Sequence, residues 1–453
     1  MCKRFNRQIL SGIIIGGFIC ITVSKSDAIP AFSREYNAEC TTCHTIFPEL
    51  NEYGDAFLKN GFVWAKHSAA SDGKVAVKGE GDPATLKILK EQAPESVKND
   101  EASAHVAKGK SEPLWLSGLP QTLPLSISAA LNASYNDDLD YDKLDLSTRA
   151  VSLLAGGVFR DKIGFYLKYN LYTEGEYDPA VSNTPVNMGS PYSNDLEQFY
   201  LVWRNTFGTP INIKVGRFRP QLSLWQKTNK GGISDFATTS YRVGSSNFTT
   251  DSTNDAIEAN AIFFNRLYVA AGIVDRDGQD TNDGYGSFSV KIGGSDYHAK
   301  EPDLDLDVES MLDYMYLTVG GYGYFGRNAL DSASSSRNDF FRGGVDMDLV
   351  IMNARLKLAW AHGEDKIPYL NSDQSASSDV FAAQGEYLFT TDLMGMFRYE
   401  YQDVGHTDAV QRFIPAVSYA PIQNAKFTLE YQHADADNSD DANLFLLGVR
   451  VAF

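Results

Sequence analysis

From residue 125 onward, apolar and polar positions alternate with a period of two. Leu125, Ile127, Ala129, Leu131, Ala133 and Tyr135 interleave with Ser126, Ser128, Ala130, Asn132 and Ser134. Phe165, Leu167, Tyr169 and Leu171 alternate with Gly164, Tyr166, Lys168 and Asn170, and Phe427, Leu429 and Tyr431 with Lys426, Thr428, Glu430 and Gln432. This is the mark of a strand with one apolar and one polar face. The pattern predicts strands near 125–135, 146–159, 163–173, 195–206, 210–219, 256–264, 266–275, 284–293, 311–324, 339–351, 353–363, 378–389, 391–403, 409–420, 424–434 and 442–453. That is about sixteen, an even number within the range of outer-membrane barrels.

The connections carry a second signal. Short turns at 160–162, 207–209 and 353–354 alternate with longer polar loops at 136–145, 174–194, 220–255, 275–283, 363–377 and 434–441. Short periplasmic turns and long outer loops are the habit of outer-membrane barrels. The segment 294–310 fits poorly, being long where a short turn is due. Lys214, Arg355, Lys357, Arg398, Glu430 and Arg450 occupy one face of their strands. A wet lumen accommodates them, whereas the dry core of a soluble sandwich would not. Phe445, Leu447, Val449, Val451 and Phe453 alternate to the last residue, resembling the terminal strand signal of bacterial outer-membrane barrels. The longest loop, 220–255, resembles the constriction loop that general porins fold into the lumen. Trp225, Lys227, Lys230 and Tyr241 would then line the channel or approach a cofactor. A solvated outer loop is the other reading.

Ahead of the strands the period changes. Leu50, Tyr53, Phe57 and Leu58 recur at helical spacing, with Pro48 as a possible start and Gly61 as a stop. Ser33 is placed to cap a short helix running towards Cys40. Residues 66–112 are rich in Ala, Ser, Lys, Glu and Asp and read as linker or insertion. At the start, Lys3, Arg4 and Arg7 precede an apolar run over 9–23 and the small-x-small site Ser26-Asp27-Ala28. This pattern is a secretory signal. The run is short for a helix of about 20 residues spanning a bilayer. The expected organisation is a signal at 1–28, a helical segment at 29–66, a linker at 67–123 and a barrel at 124–453.

The chain has 453 residues and a formal net charge of −18. That balance argues against nucleic acid as a partner and suits cations. Acidic groups cluster in the outer loops at Asp137, Asp138, Asp140 and Asp142, at Asp275, Asp277, Asp280 and Asp283, and at Asp435, Asp437, Asp440 and Asp441. None has the spacing of a helix-loop-helix calcium site, so solvated loops are expected, with weak cation capture as the alternative. His298, His362, His406 and His433 are widely spaced, and no hydrolase signature stands out.

The candidate chemistry lies in Cys40-Thr41-Thr42-Cys43-His44. Two thiols at this spacing followed at once by a histidine is the pattern of covalent c-type heme attachment. Cys40 and Cys43 would each bond a heme vinyl group, and His44 would be the proximal iron ligand. A four-cysteine zinc site needs a second such pair, which is absent. Attachment of heme c outside the cytoplasm agrees with the export signal. For the distal position, His67 is a candidate, and an exposed linker histidine is its alternative reading. A ligand from the large domain, or an open position, also fits.

Pro30-Ala31-Phe32, the CxxCH, Phe47-Pro48-Glu49-Leu50, Tyr53-Gly54, Phe57-Leu58-Lys59 and Gly61-Phe62, followed by some sixteen strands, together resemble the monoheme cytochrome–porin fusions of the bacterial outer membrane. That family includes the iron oxidases of iron-oxidising bacteria. The charged insertion at 66–112 is a departure from it. The resemblance implies one covalent heme c and electron transfer between extracellular Fe(II) and a periplasmic c-type cytochrome, making the chain an oxidoreductase-type electron carrier. It would sit in outer-membrane lipid and is expected as a monomer. Outward transfer to extracellular acceptors and a diffusion porin with a heme sensor or tether are the rival expectations. A heme placed only at the periplasmic mouth would not bridge a hydrocarbon core of about 30 Å. The cytochrome segment is therefore expected to plug the lumen.

Overall fold

The computed structural model of the chain describes residues 31–36, 38–63, 124–136, 143–173, 193–226, 229–246, 248–276, 282–301, 314–329, 337–369, 373–422, 424–437 and 441–452. The expected signal at 1–28, the linker at 67–123 with His67, most acidic positions of the outer loops, Lys227 and Phe453 lie outside the described residues.

The N-terminal segment consists of α1 (Ala31–Tyr36), a tight turn at Cys40–Thr42, β1 (His44–Ile46), β2 (Glu49–Leu50) and α2 (Glu52–Lys59). The remainder of the described chain is strand-rich: β3 (Leu125–Asn136), β4 (Leu144–Phe159), β5 (Ile163–Thr173), β6 (Ser193–Trp203), β7 (Ile211–Phe218), β8 (Asn254–Phe263), β9 (Leu267–Asp275), β10 (Asn282–Gly293), β11 (Met315–Ala329), β12 (Arg337–Ile351), β13 (Ala354–Asp365), β14 (Ala376–Thr390), β15 (Leu393–Val404), β16 (Val410–Ile422), β17 (Ala425–Ala436) and β18 (Ala442–Ala452). All sixteen pair antiparallel with their sequence neighbours, and β18 closes on β3 with Leu447 opposite Ala133.

The alternation read from sequence sorts residues to the two faces of this closed sheet. On β17, Leu429 is 59 % exposed on the outside while Glu430 is 1 % exposed within. Ile257, Ile273, Phe397 and Leu447 are likewise exposed outside, and Arg355, Lys357 and Arg398 are buried within. Closure pairs every strand, so an apolar outer face can meet lipid without unsatisfied backbone groups. No helix of the described residues is long and apolar enough to cross a membrane; the strands cross it. The barrel is a Gram-negative outer-membrane architecture.

Most strands match their expected ranges within a few residues. β11 is shifted outward, running to Ala329 where 324 was expected. Gly323, Gly326 and Arg327 dilute the apolar pattern, but their backbones pair with Gly343, Phe340 and Asp339 of β12. At one short turn, Phe264 and Asn265 both have positive φ, 52° and 59°, matching the twist of a tight hairpin.

The loop 219–253 between β7 and β8 folds inward, with a short helix α3 (Ala237–Ser240). Its backbone amides donate to carboxylates of the opposite wall: Leu224 to Asp346 at 2.9 Å, Ile233 to Glu430 at 2.7 Å and Ala237 to Glu400 at 2.9 Å. Ser245 donates to the Pro368 carbonyl at 2.9 Å. The alternative of a solvated outer loop is thereby excluded. The buried carboxylates also correct a simple view of the inner face as a water channel, because part of it serves to hold this loop.

Candidate functional site

The N-terminal segment lies inside the barrel, in the half that carries the short turns. Three attachments hold it. The Ala31 amide donates to Ser126 Oγ of β3 at 2.6 Å. Phe32 lies over Gly156 of β4, where any larger residue would collide with its ring. Phe32, Phe57 and Phe62 pack together, with centroids 5.1 Å apart for Phe32–Phe57 and 5.2 Å for Phe32–Phe62, and Phe62 faces Tyr166 at 6.0 Å.

The second attachment is ionic. Glu49, 0 % exposed, receives Arg355 Nη1 at 3.0 Å and the Lys357 ammonium. Arg355 is itself gripped by Asp348 through Nε at 2.8 Å and Nη2 at 2.7 Å, and Lys357 reaches Glu386 at 2.8 Å. Burial alone would raise the Glu49 carboxyl, but Lys357 and Arg355 outweigh it and hold the group well below the usual carboxylate range.

The third attachment explains the misfit at 294–310. The described part of that connection clasps α2. Tyr53 bonds Glu301, Asn60 bonds the Tyr297 carbonyl, and Ser295 N–H donates to Glu52 at 3.3 Å. Lys59 is buried beside Asp55 at 2.8 Å and lies over the Tyr297 ring at 4.6 Å. Residues 294–301 thus face the segment instead of turning sharply into the next strand.

Within the segment, α2 does not begin at Pro48 as the sequence suggested. Asn51 is its N-cap, accepting from Gly54 N–H at 3.0 Å. Pro48 instead belongs to the connection between β1 and β2. Asn51 also donates its side-chain amide to the Thr41 and Thr42 carbonyls, both at 3.1 Å, and its backbone N–H to the Cys43 carbonyl at 3.0 Å. One residue therefore ties the CxxC turn to the helix. Gly54 allows the approach, since an added Cβ would meet the Cys43 carbonyl. The helix stops at Gly61 as expected, with φ +64° and the 6→1 bond from Phe62 N–H to the Phe57 carbonyl at 3.0 Å.

Cys40, Cys43 and His44 all border one cavity of about 920 Å³ within the lumen. That volume is at the upper end of the roughly 300–1,000 Å³ of ligand pockets. Phe32, Phe47, Phe57 and Phe62 supply an apolar side. Arg149, Lys168, Lys426 and Arg450 of the wall and Lys230 and Arg242 of the inward loop bring positive charge to the cavity, with Lys168 paired to Glu197 and Lys230 to Asp235. Trp225 and Tyr241, expected near this space, are packed elsewhere: Trp225 against Phe236 at 4.9 Å and Tyr241 against Ala361, Val380 and Val404.

His44 is half-buried on the cavity wall. Its Nδ1 faces the carbonyls of Pro48 at 3.0 Å and Glu49 at 3.3 Å. Both are acceptors, so Nδ1 carries the proton and Nε2 is left for a metal. Burial pushes the imidazole towards neutral, partly offset by those carbonyls. Burial pushes the Cys43 thiol up to about 11 and also raises Cys40, whose Sγ lies 3.8 Å from Ser33 Oγ. Thiolate-driven redox cysteines are shifted the other way. Among the described residues, no group of three or more His, Cys, Asp or Glu is placed to hold a metal ion. His44 is the one histidine on the cavity wall among them, and no described methionine lines it.

These observations define a class: a sixteen-stranded outer-membrane barrel of porin fold, with an N-terminal plug and an inward loop. The chain is similar to solved outer-membrane proteins. OmpF of Salmonella typhi, solved with daunomycin, is 11% identical with a TM-score of 0.51, over 73% of this chain and 97% of that one. OmpT of Vibrio cholerae is 13% identical with a TM-score of 0.48, over 73% and 98%. The outer-membrane channel DcaP of Acinetobacter baumannii is 14% identical with a TM-score of 0.47, over 73% and 96%. No family model and no curated protein matches the chain.

Proposed function

We propose that this protein carries one heme c, bonded to Cys40 and Cys43 and ligated by His44, and that it passes electrons across the outer membrane through the barrel. The donor proposed is extracellular Fe(II), and the acceptor a periplasmic c-type cytochrome. The observation that carries the reading is that all three motif residues border a lumenal cavity of about 920 Å³.

The residues fit the group. Four phenylalanines offer an apolar face, His44 keeps Nε2 for a metal, and the basic wall suits carboxylates. When bound, the heme supplies one-electron chemistry at its iron. The chain supplies the rest. Cys40 and Cys43 would hold the group covalently, and Asn51 fixes their turn. The Pro48 and Glu49 carbonyls orient the imidazole. The closed sheet separates the site from lipid. Oxidising Fe(II) outside the cell keeps the insoluble ferric product outside.

The barrel fold is also that of a diffusion porin, which is the second reading. Liposomes containing the protein and an enclosed ferric oxidant separate the two. External Fe(II) should reduce the enclosed oxidant, and His44→Ala should abolish this in a barrel that remains folded. Passage of small solutes without electron transfer would favour the porin.

A further inference from the structure

We infer that Lys426 and Arg450 form an anion site in the cavity wall that takes a carboxylate. Resting on the heme reading above, that carboxylate is a heme propionate. The two residues are direct register partners on β17 and β18, and both line the cavity. Directly opposed side chains on an antiparallel pair have Cβ atoms about 4.5–5.5 Å apart, and like charges there repel.

Lys426 is 4 % exposed. Its ammonium donates to the Gly231 carbonyl at 2.7 Å, which uses one of its three protons. Among the described residues neither Lys426 nor Arg450 forms an ion pair. The carboxylates that face them are engaged with other groups. Glu49 is held by Arg355 and Lys357, Glu430 accepts from the Ile233 and Ser234 amides at 2.7 and 3.2 Å, and Asp235 pairs with Lys230. Arg149 of β4 also lies close to Arg450. Two like charges opposed on the cavity wall with no counter-ion in contact repel one another. In a chain of net charge −18, such a local excess of cations marks a place for an anion. The cavity it faces is the one that borders Cys40, Cys43 and His44.

The test uses the full chain in four forms: wild type, Lys426→Gln/Arg450→Gln, the heme-free Cys40→Ala/Cys43→Ala variant, and all four substitutions together. The probe is succinate, with sodium chloride matched for ionic strength. Succinate should raise the melting temperature of the heme-free barrel, as a ligand of the folded state does. It should not do so once Lys426 and Arg450 are neutralised, nor in the heme-loaded protein, whose site is filled. In the heme-loaded protein the double charge substitution should lower the midpoint potential, because two cations that disfavour the ferric state are gone. If the double variant is too unstable, Lys426→Gln alone serves. In the heme-free background it should raise stability, since it removes a like-charge pair. Equal stabilisation of loaded and heme-free protein by succinate would overturn the propionate assignment in favour of a free carboxylate. No succinate effect on the heme-free barrel would overturn the site itself. Wild-type protein that carries no heme would refute the underlying reading, and the succinate arm would still judge the anion site.

Discussion

Replacing Glu49 by Gln tests how the barrel holds the plug. The Glu49 carboxylate is buried between Arg355 and Lys357, and Gln keeps the shape while removing the charge. Taking one partner from a buried ion pair typically costs about 3–5 kcal/mol, because the remaining charge is left uncompensated. At about 1.4 kcal/mol per factor of ten, the closed-to-open ratio of the segment falls roughly a hundred- to several-thousand-fold. Asp348 and Glu386 still engage Arg355 and Lys357, which favours the lower end. The other attachments, Ala31 on Ser126 and α2 under the 294–301 segment, remain. Opening should therefore be local to β1, β2 and the start of α2.

Native-state hydrogen exchange reads this directly. The amides of Leu50 and Asn51, bonded to Asn229 Oδ1 at 3.1 Å and the Cys43 carbonyl at 3.0 Å, should exchange at least about a hundred times faster. Barrel amides should be unchanged. The Pro48 and Glu49 carbonyls also orient His44, so the axial-ligand spectrum of a bound heme should change as well. A double-mutant cycle with Lys357→Met should give a coupling of about 0.5–3 kcal/mol. Unchanged exchange at residues 44–51 together with no coupling would refute the anchor.

Four further outcomes follow from the same geometry. The Glu49 carboxyl is held below its usual range, so its contribution is complete above the unfolded value of about 4.3. It is lost as pH falls through the lower folded value, so the protection factors of amides within 44–51, corrected for the intrinsic rate, should fall on acidification in wild type and not in Glu49→Gln. Gly54→Ala should weaken plug docking by about 1–3 kcal/mol, because the new methyl meets the Cys43 carbonyl; exchange in α2 checks it. Gly61→Ala, at φ +64°, should cost about 1–2 kcal/mol at the helix end, read as faster exchange of the Phe62 amide. His44→Ala should leave the barrel folded on a heat-modifiable gel while abolishing Fe(II)-driven reduction inside liposomes.

The strands were legible because lipid and lumen impose opposite demands on alternate residues. Leu429 and Glu430 show this in two positions. Gly61 was legible as a helix stop because its conformation needs glycine. Other features depend on partners remote in sequence. Pro48 looked like a helix start, but the Asn51 side chain reaches both Gly54 and the CxxC turn and moves the start to Glu52. An asparagine three residues ahead of a glycine was the available signal. The misfit at 294–310 was visible, but the contacts of 294–301 were not, since Asn60 and Tyr297 are far apart in sequence. The loop 220–255 could be read either way until Asp346, Glu400 and Glu430 were placed across the lumen from its amides. Cys40, Cys43 and His44 stand together in five consecutive residues, whereas the cations that share their cavity come from strands far apart in the chain.

The central claim is that a heme is covalently attached at this motif. The most direct measurement is made on protein purified from outer membranes, denatured in acid and extracted with solvent. With heme attached, the absorbance should stay with the chain, and a peptide spanning Cys40 and Cys43 should carry the mass of one heme. Free thiols on that peptide, with no heme retained by the chain, would contradict it.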